Sequence, residues 1–224
     1  MAAELDGPRL EPRGGVAARQ LVVFLHGYGA DGNDLIELGR AWQPLLPQAA
    51  FVSPHAPEPC AQAPSGRQWF NLTFRDPNER WTGVNAAAPM LERFLDAELA
   101  RRRLPPSALA LVGFSQGTML ALHVGLRRSV APAAIVGYSG LLALPENANL
   151  DTFAAEIRSK PPVLLIHGEQ DDLIPAAALF HATQALATLG VPVEWHLSPR
   201  TGHGIDQEGL RHGGEFLARR FKSG

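Results

Sequence analysis

The chain lacks several features that mark particular classes of protein. It has one cysteine, Cys60, in 224 residues, which excludes an internal disulfide and is typical of a reducing compartment. It has 20 Lys and Arg against 22 Asp and Glu, so it has no excess of the positive charge that nucleic-acid-binding proteins carry. It also lacks any apolar run close to the ~20 residues that a membrane-spanning helix needs. We therefore expect no nucleic-acid partner and no integral membrane segment.

The first residues lack both hydrophobic periodicity and an apolar core. Glycine and proline recur through residues 1–18, and acidic residues stand where a secretory signal peptide would be positively charged or apolar. We therefore predict a flexible N-terminal segment at 1–18 and a cytoplasmic protein. Residues 19–224 contain neither an internal repeat nor a linker, so they are predicted to form a single domain.

What the rest of the chain does contain is a regular alternation of apolar runs and helical patterns. Helices are expected from residue 33, over 84–102, after residue 116, over 175–189 and over 206–221, and strands are expected at 20–25, 49–53, 109–113, 133–138, 162–168 and 191–197. This alternation predicts an α/β fold with a mostly parallel sheet and helices on both faces. Residues 54–82 are predicted to be a long, aromatic-rich loop that partly covers the core and partly walls a substrate site. Residues 141–160 show no clear element.

A Gly-Phe-Ser-Gln-Gly sequence at 113–117 joins a predicted strand to a predicted helix. In the nucleophile-elbow geometry, Gly-x-Ser-x-Gly places the serine on a sharp strand-to-helix turn. Glycine is needed on either side, because a side chain there would collide with the neighbouring strand or helix. The pattern alone is weak, and a plain Gly/Ser turn is the alternative. The flanking elements favour Ser115 as a nucleophile.

A serine hydroxyl needs a neighbouring base, usually a histidine. His203 is the best placed of the eight histidines, since it follows the last strand, precedes the last helix and lies between two glycines. His167 ends an apolar strand and is predicted to be a hydrogen-bonded core residue. His26 is predicted to order the turn that follows it.

The orienting carboxylate is expected after the strand that ends near His167. Asp171 and Asp172 both stand there, and only one of two adjacent residues can face His203. The pattern alone does not choose between them. Glu169 is a third candidate, although it is more typical of a turn residue.

An acyl-transfer site also needs donors for the developing oxyanion. One is expected to be the main-chain N–H of Gln116, and the other lies in the glycine-rich turn at 26–29, where Tyr28 is the candidate. That turn lacks the Gly-Lys-Ser/Thr of a phosphate-binding loop, and no His/Cys/Asp spacing matches a zinc ligand set. We therefore predict no cofactor and no metal.

Taken in order, the motifs resemble those of the phospholipase/carboxylesterase family, which includes the acyl-protein thioesterases. The resemblance spans about residues 20–221 and rests on Leu-His-Gly-Tyr-Gly at 25–29, Ser-Pro-His-Ala-Pro at 53–57, Trp-Phe at 69–70, Gly-Phe-Ser-Gln-Gly at 113–117, His-Gly at 167–168 followed by Asp171 and by Ile-Pro at 174–175, and Gly-His at 202–203.

This resemblance implies a compact α/β-hydrolase fold with no large cap domain. It implies a triad of Ser115, Asp171 and His203, because Asp171 aligns with the family acid. Tyr28 and Gln116 would be the oxyanion donors through their main chain. Trp69 and Phe70 would border the acyl pocket.

The function predicted from the sequence is that of a serine carboxylesterase, which hydrolyses small-molecule or lipid-like carboxylic esters through an acyl-enzyme. An acyl-protein thioesterase or a lysophospholipase is the alternative within enzymes, and a rate that rises with acyl length would favour it. A non-catalytic, ligand-binding protein of the hydrolase fold is the alternative outside enzymes. Such a protein has no need of serine, acid and histidine together. The sequence leaves a homodimer open.

Overall fold

A computed structural model describes residues 4–60, 62–73, 75–76, 78–147 and 150–222. Residues 1–3 of the predicted N-terminal segment lie outside the described residues, as do 61, 74 and 77 of the predicted loop. Residues 148–149 and 223–224, within the predicted domain, also lie outside them.

A seven-stranded sheet forms the centre of the described structure. The strands of the chain are β1 (Arg9–Leu10), β2 (Gln20–Leu25), β3 (Ala49–Val52), β4 (Glu58–Cys60), β5 (Ala63–Gln68), β6 (Leu109–Phe114), β7 (Ala134–Tyr138), β8 (Val163–Gly168) and β9 (Val193–Ser198). The sheet order is β1-β3-β2-β6-β7-β8-β9, and every pairing is parallel except that of β1 with β3. The carboxyl ends of β2, β6, β7, β8 and β9 therefore meet along one edge.

Helices cover both faces of this sheet. They are α1 (Gly32–Trp42), α2 (Glu79–Arg102), α3 (Gln116–Arg127), α4 (Leu150–Glu156), α5 (Ala177–Thr188) and α6 (Gln207–Lys222). Successive residues of a strand point to opposite faces. Thus Val22 and Phe24 of β2 pack in one buried cluster with residues of α1 and α6, while Val23 and Leu25 pack in another with residues of α2, α3 and α5. This is the α/β architecture that the sequence predicts, and no separate cap domain stands over the described residues.

Four short elements differ from the expectations drawn from sequence. β1 lies where no regular element is predicted, because two residues are too few to show a period and their pairing depends on β3. β4 and β5 form an antiparallel hairpin inside the predicted loop. Their prolines argue against strands, but an isolated two-stranded ribbon tolerates residues that donate no ladder hydrogen bond. α4 lies within 141–160, where the apolar residues were too few to show a helical period.

The N-terminal segment packs against α2 through buried charges. Arg9 donates a 2.9 Å hydrogen bond to Glu98, whose side chain is 6% exposed. Arg102 also pairs with Glu98 and reaches Glu11 at 3.0 Å. The pKa of Glu98 lies below its usual value, because the arginines outweigh the effect of burial, which alone would raise it.

Cys60 is buried, at 4% exposed, at the end of β4. Across the described ranges, no helix combines the length and the apolar character needed to cross a membrane.

Candidate functional site

Ser115 lies on the turn between β6 and α3, with φ 52° and ψ −113°. This backbone conformation is one that residues with a side chain rarely adopt. The flanking glycines explain how the chain makes the turn. A Cβ atom on Gly113 would stand 2.4 Å from the nitrogen of Thr118, and one on Gly117 would stand 1.8 Å from the carbonyl oxygen of Leu25. The sequence expectation that glycine is required at both positions is therefore met by direct backbone approach.

The neighbouring strand β7 supports this turn. The N–H of Ser115 donates a 2.9 Å hydrogen bond to the carbonyl oxygen of Tyr138, which also accepts one from the hydroxyl of Thr118 at 2.9 Å. Ser115 itself is 7% exposed. The strained turn and the start of α3 are therefore both held to the end of β7 by one carbonyl oxygen.

Asp171 and His203 come together from the adjacent ends of β8 and β9. The Nδ1 atom of His203 lies 2.8 Å from Oδ2 of Asp171. The other carboxylate oxygen accepts the main-chain N–H groups of Leu173 and Ile174 at 3.0 and 2.9 Å. The Asp171 side chain is fully buried, whereas that of His203 is 18% exposed. The carboxylate is thus fixed in orientation, and the imidazole ring reaches the surface.

The other acidic candidates lie elsewhere. Asp172 is exposed, and Glu169 accepts the main-chain N–H of Arg200 at 3.1 Å. The structure therefore brings Asp171, of the three acids that the sequence left open, into contact with His203.

The His203 ring lies beside the turn that carries the serine. Its centroid is 5.0 Å from that of Phe114, the residue directly before Ser115. The carbonyl oxygen of Gly204, the next residue along the chain, accepts a hydrogen bond of 3.3 Å from the hydroxyl of Ser139, which follows β7. The ends of β6, β7 and β9 are thereby joined around one site.

The glycine-rich turn after β2 packs directly against this site. A Cβ on Gly27 would stand 3.4 Å from the Cβ of Ser115. His26 is fully buried and fixes the turn: its Nε2 accepts the N–H of Ala56 at 3.0 Å, which leaves Nδ1 to donate to the carbonyl oxygen of Gly27 at 2.8 Å. Burial lowers the pKa of His26 to about 4, so the ring is neutral at neutral pH. This arrangement agrees with the expectation that His26 orders the turn.

Tyr28 stands at the edge of a cleft of about 370 Å³, which is also lined by Gln62, Asn71, Leu72, Thr73 and Arg75. Burial, followed by a hydrogen bond with Cys60, raises the pKa of Tyr28 to about 12. The phenol therefore stays protonated at neutral pH. The cleft opens next to the turn at residues 26–29 and has both polar and apolar walls.

Trp69 and Phe70 are buried, at 2% and 5% exposed. The indole N–H of Trp69 donates to the carbonyl oxygen of His26 at 2.9 Å. The side chain of Gln116 accepts the N–H of Trp69 at 2.9 Å and donates to the carbonyl oxygen of Phe70 at 2.8 Å. The structure thus places the two aromatic residues in the core, bonded to both segments that carry the predicted oxyanion donors.

Two features of the site were missed in the sequence. One is the side chain of Gln116, because only its main-chain N–H entered the prediction. The other is His167, whose Nε2 lies 3.2 Å from Asp171 Oδ2. Its position four residues before the acid was the available signal. Within the part of the chain that the structure describes, no group of three or more His, Cys, Asp or Glu side chains could hold a metal ion.

Comparisons with known proteins relate this geometry to a family. The sequence model of the phospholipase/carboxylesterase family matches residues 12–220. The esterase YpfH of Escherichia coli strain K12 is 30% identical over 195 residues, which cover 87% of this chain and 80% of that protein. Acyl-protein thioesterase 1 of Schizosaccharomyces pombe is 29% identical over 181 residues, which cover 79% of this chain and 78% of that protein.

Solved structures give the same relationship. The crystal structure of esterase PE8 superposes with a TM-score of 0.91 at 42% identity, over 97% of this chain and 99% of that one. The carboxylesterase of Bacillus cereus superposes with a TM-score of 0.76 at 16% identity, over 98% of this chain and 96% of that one, and shares the fold.

Proposed function

The chain belongs to the phospholipase/carboxylesterase family, and on that premise we propose that Ser115, His203 and Asp171 are its catalytic triad. The protein is a carboxylic ester hydrolase of the serine type. The observation that carries the assignment of residues is the 2.8 Å contact between His203 Nδ1 and Asp171 Oδ2, beside a strained Ser115. It supports Asp171 rather than Asp172 or Glu169 as the acid.

The contact at Nδ1 leaves Nε2 of His203 to act as the base. It takes the proton of the Ser115 hydroxyl while Oγ forms a bond to the carbonyl carbon of the ester. The tetrahedral intermediate collapses, its bond to the alkoxy oxygen breaks, and Nε2–H gives its proton to the leaving alcohol. Water then attacks the acyl-enzyme with the same assistance and releases the acid. Asp171, buried and held by two N–H groups, stabilises the imidazolium that forms in both halves.

The oxyanion is proposed to be bound by the main-chain N–H groups of Tyr28 and Gln116. Gln116 opens α3, and the first N–H groups of a helix have no acceptor within the helix. They also lie at the positive end of its dipole, where negative charge is stabilised. The close packing of Gly27, whose added Cβ would stand 3.4 Å from the Ser115 Cβ, supports Tyr28, the next residue, as the second donor.

The substrates that we propose are small-molecule or lipid-like esters. The cleft beside Tyr28, about 370 Å³ in volume, is the proposed place for part of the ester. For Trp69 and Phe70 we propose a supporting role. These buried residues would hold the wall of that cleft in place and would not contact the ester. We also propose that residues 19–224 are one catalytic domain and that the protein acts in the cytoplasm.

Thioester hydrolysis is the second candidate, because curated relatives are named acyl-protein thioesterase. The same steps apply to a thioester, whose thiolate leaves more readily than an alkoxide. Rates on matched oxygen and sulfur esters of increasing acyl length distinguish the two. A rate that rises steadily with acyl length on thioesters would favour the second candidate.

The test of the triad combines active-site labelling with kinetics. A fluorophosphonate probe should label the wild type at Ser115 alone, and Ser115→Ala should lose both the label and about 10³-fold or more of kcat/KM. Ser139→Ala is the matched control, since Ser139 is also buried with a positive φ of 43° beside the site, and this variant should still be labelled. Turnover by Ser115→Ala at the wild-type rate would refute the assignment.

A further inference from the structure

A second histidine, His167, lies close to the proposed catalytic carboxylate of Asp171. His167 is the fifth residue of β8 and is 2% exposed. Its Nε2 lies 2.7 Å from the carbonyl oxygen of Ile174 and 3.2 Å from Oδ2 of Asp171. The triad as proposed above makes no use of this ring.

The contacts fix where the ring carries its proton. A carbonyl oxygen only accepts hydrogen bonds, so Nε2 of His167 must be the donor in its contact with Ile174. With its N–H directed at Ile174, the same nitrogen lies 3.2 Å from Asp171 Oδ2, close enough for an electrostatic attraction to the carboxylate. This arrangement needs no positive charge on the ring.

Asp171 therefore accepts three N–H groups. Two come from the main chain of Leu173 and Ile174 and reach Oδ1, and one comes from His203 and reaches Oδ2, while Nε2 of His167 lies 3.2 Å from Oδ2 in a close electrostatic contact. The contact with His203 is the shorter of the two at Oδ2, at 2.8 Å against 3.2 Å. With its side chain fully buried, the carboxylate has no water to replace a lost donor.

We propose that His167 is a positioning residue for catalysis. Its hydrogen bond to Ile174 holds the turn that fixes the Asp171 carboxylate, and its nearby N–H dipole draws part of the negative charge of Oδ2 away from His203. The proposal rests on the proposed function, because it acts through the triad. The ring also closes the turn from residue 171 to 174, so a purely structural role is the competing explanation that the test must separate.

A pair of substitutions separates the two roles. His167→Gln places an amide N–H near the position of Nε2, whereas His167→Met fills similar space and donates nothing. Active sites are counted by fluorophosphonate titration, and kcat and KM are expressed per titrated site. A structural role alone would reduce the number of sites or the stability of the fold and leave kcat per site unchanged.

We expect kcat per site to fall by about 10- to 100-fold in His167→Met, with little change in KM, because the turn that holds Asp171 loses its hydrogen bond at Ile174 and Oδ2 loses a nearby N–H dipole. His167→Gln should recover to within about threefold of the wild type. The acidic limb of the kcat/KM profile should move to higher pH by roughly half a unit in His167→Met. Without the N–H of His167 nearby, the full negative charge of Oδ2 acts on His203 and favours its protonated, inactive form. The titratable groups in these contacts are Asp171, from the turn after β8, and His203, from the turn after β9.

His123→Met is the matched control, because it removes another buried histidine, on α3, that lies outside the site. It should keep its rate per site and its pH profile. Unchanged kcat per site and an unmoved profile in His167→Met, with an inactive Ser115→Ala, would overturn the positioning role and leave the triad standing. An active Ser115→Ala would instead overturn the proposed function, whatever His167→Met does.

Discussion

The side-chain oxygen of Gln116 accepts a hydrogen bond of 2.9 Å from the main-chain N–H of Trp69. The amide nitrogen of the same side chain donates to the carbonyl oxygen of Phe70 at 2.8 Å, and Gln116 is fully buried. The residue that follows the proposed nucleophile therefore binds the main chain of two consecutive residues, which lie 46 and 47 residues away in the sequence. Its side chain couples the shape of that segment to the position of the oxyanion-binding N–H.

Substitution of Gln116 should therefore affect both stability and rate. Gln116→Ala leaves a buried N–H and a buried carbonyl without partners, which costs about 1–3 kcal/mol in the free energy of unfolding. We expect kcat/KM to fall about tenfold, since the N–H of residue 116 remains but is less well placed. Urea unfolding and steady-state kinetics measure the two effects. Gln116→Glu keeps the acceptor for Trp69 but turns a buried carboxyl oxygen toward the carbonyl oxygen of Phe70, so it should be at least as destabilised as Gln116→Ala. Wild-type stability in Gln116→Ala would contradict this account.

The strained backbone at Ser115 predicts that glycine at this position gives an inactive protein with a more stable fold than alanine does. A backbone with φ 52° and ψ −113° costs a residue with a side chain about 1–3 kcal/mol, and glycine adopts it freely. Ser115→Gly and Ser115→Ala should both be inactive. Ser115→Gly should be the more stable of the two by about 1 kcal/mol, after allowing for the greater entropy of glycine in the unfolded chain. Thermal and urea unfolding of the two variants check this, and equal stability would mean that the turn stores no strain.

Gly117 should tolerate no side chain. The Cβ of an alanine would overlap the carbonyl oxygen of Leu25, at 1.8 Å, and the backbone of β2 cannot move without disturbing two strand pairings. We expect Gly117→Ala to lose more than about 3 kcal/mol of stability or to fail to fold. Gly204→Ala is the control, because a Cβ there meets nothing within 4 Å. A well-folded Gly117→Ala beside an equally stable control would show that the turn can open.

His123 should weaken the fold in acid. Burial, aided by the charge of Arg127, lowers its pKa from 6.5 to about 3, and its Nδ1 is buried without a partner among the described residues. Below pH 6.5 the unfolded chain binds a proton that the folded protein excludes, so stability falls as the pH drops toward 3. His123→Met removes this contribution. Its stability relative to the wild type should improve by about 2 kcal/mol between pH 7 and pH 4.5, measured by urea unfolding. Buried His26 also has a lowered pKa, but its effect on stability is the same in both proteins and cancels in the comparison. A constant difference would contradict the prediction.

The alternation of apolar runs and helical patterns carried enough information for the α/β fold, because each main strand is buried and each main helix is amphipathic or follows a strong turn signal. Ser115 and His203 could be proposed for the same reason: each stands between a strand and a helix, beside glycine. Asp171 could not be separated from Asp172 by pattern alone. The choice depends on which of two adjacent carboxylates turns inward, and the N–H groups of Leu173 and Ile174 decide that in three dimensions.

The features that the sequence did not reveal depend on how one segment of the chain folds against another. The role of the Gln116 side chain requires the segment at residues 69–70 to lie over α3, and that of His167 requires the turn at residues 171–174 to fold back on β8. A core histidine and a positioning histidine look alike in a sequence, because both end an apolar strand. The hairpin of β4 and β5 is anchored by Arg67, which donates to the carbonyl oxygens of Ala56 and Pro57, a contact with no local signature.

The two ends of the central sheet differ in how they resist aggregation. An uncovered edge strand offers its N–H and carbonyl groups to any other chain. At one end β1 occupies part of β3, and its attachment depends on the buried pair of Arg9 and Glu98. At the other end β9 is open, and Glu194, paired with two arginines of α6, places charge on it. Loss of the buried Glu98 carboxylate on α2 would therefore release β1, whose Arg9 lies 89 residues away in the sequence, and would expose the edge of β3 to intermolecular pairing, a route to insoluble protein that leaves every proposed catalytic residue intact.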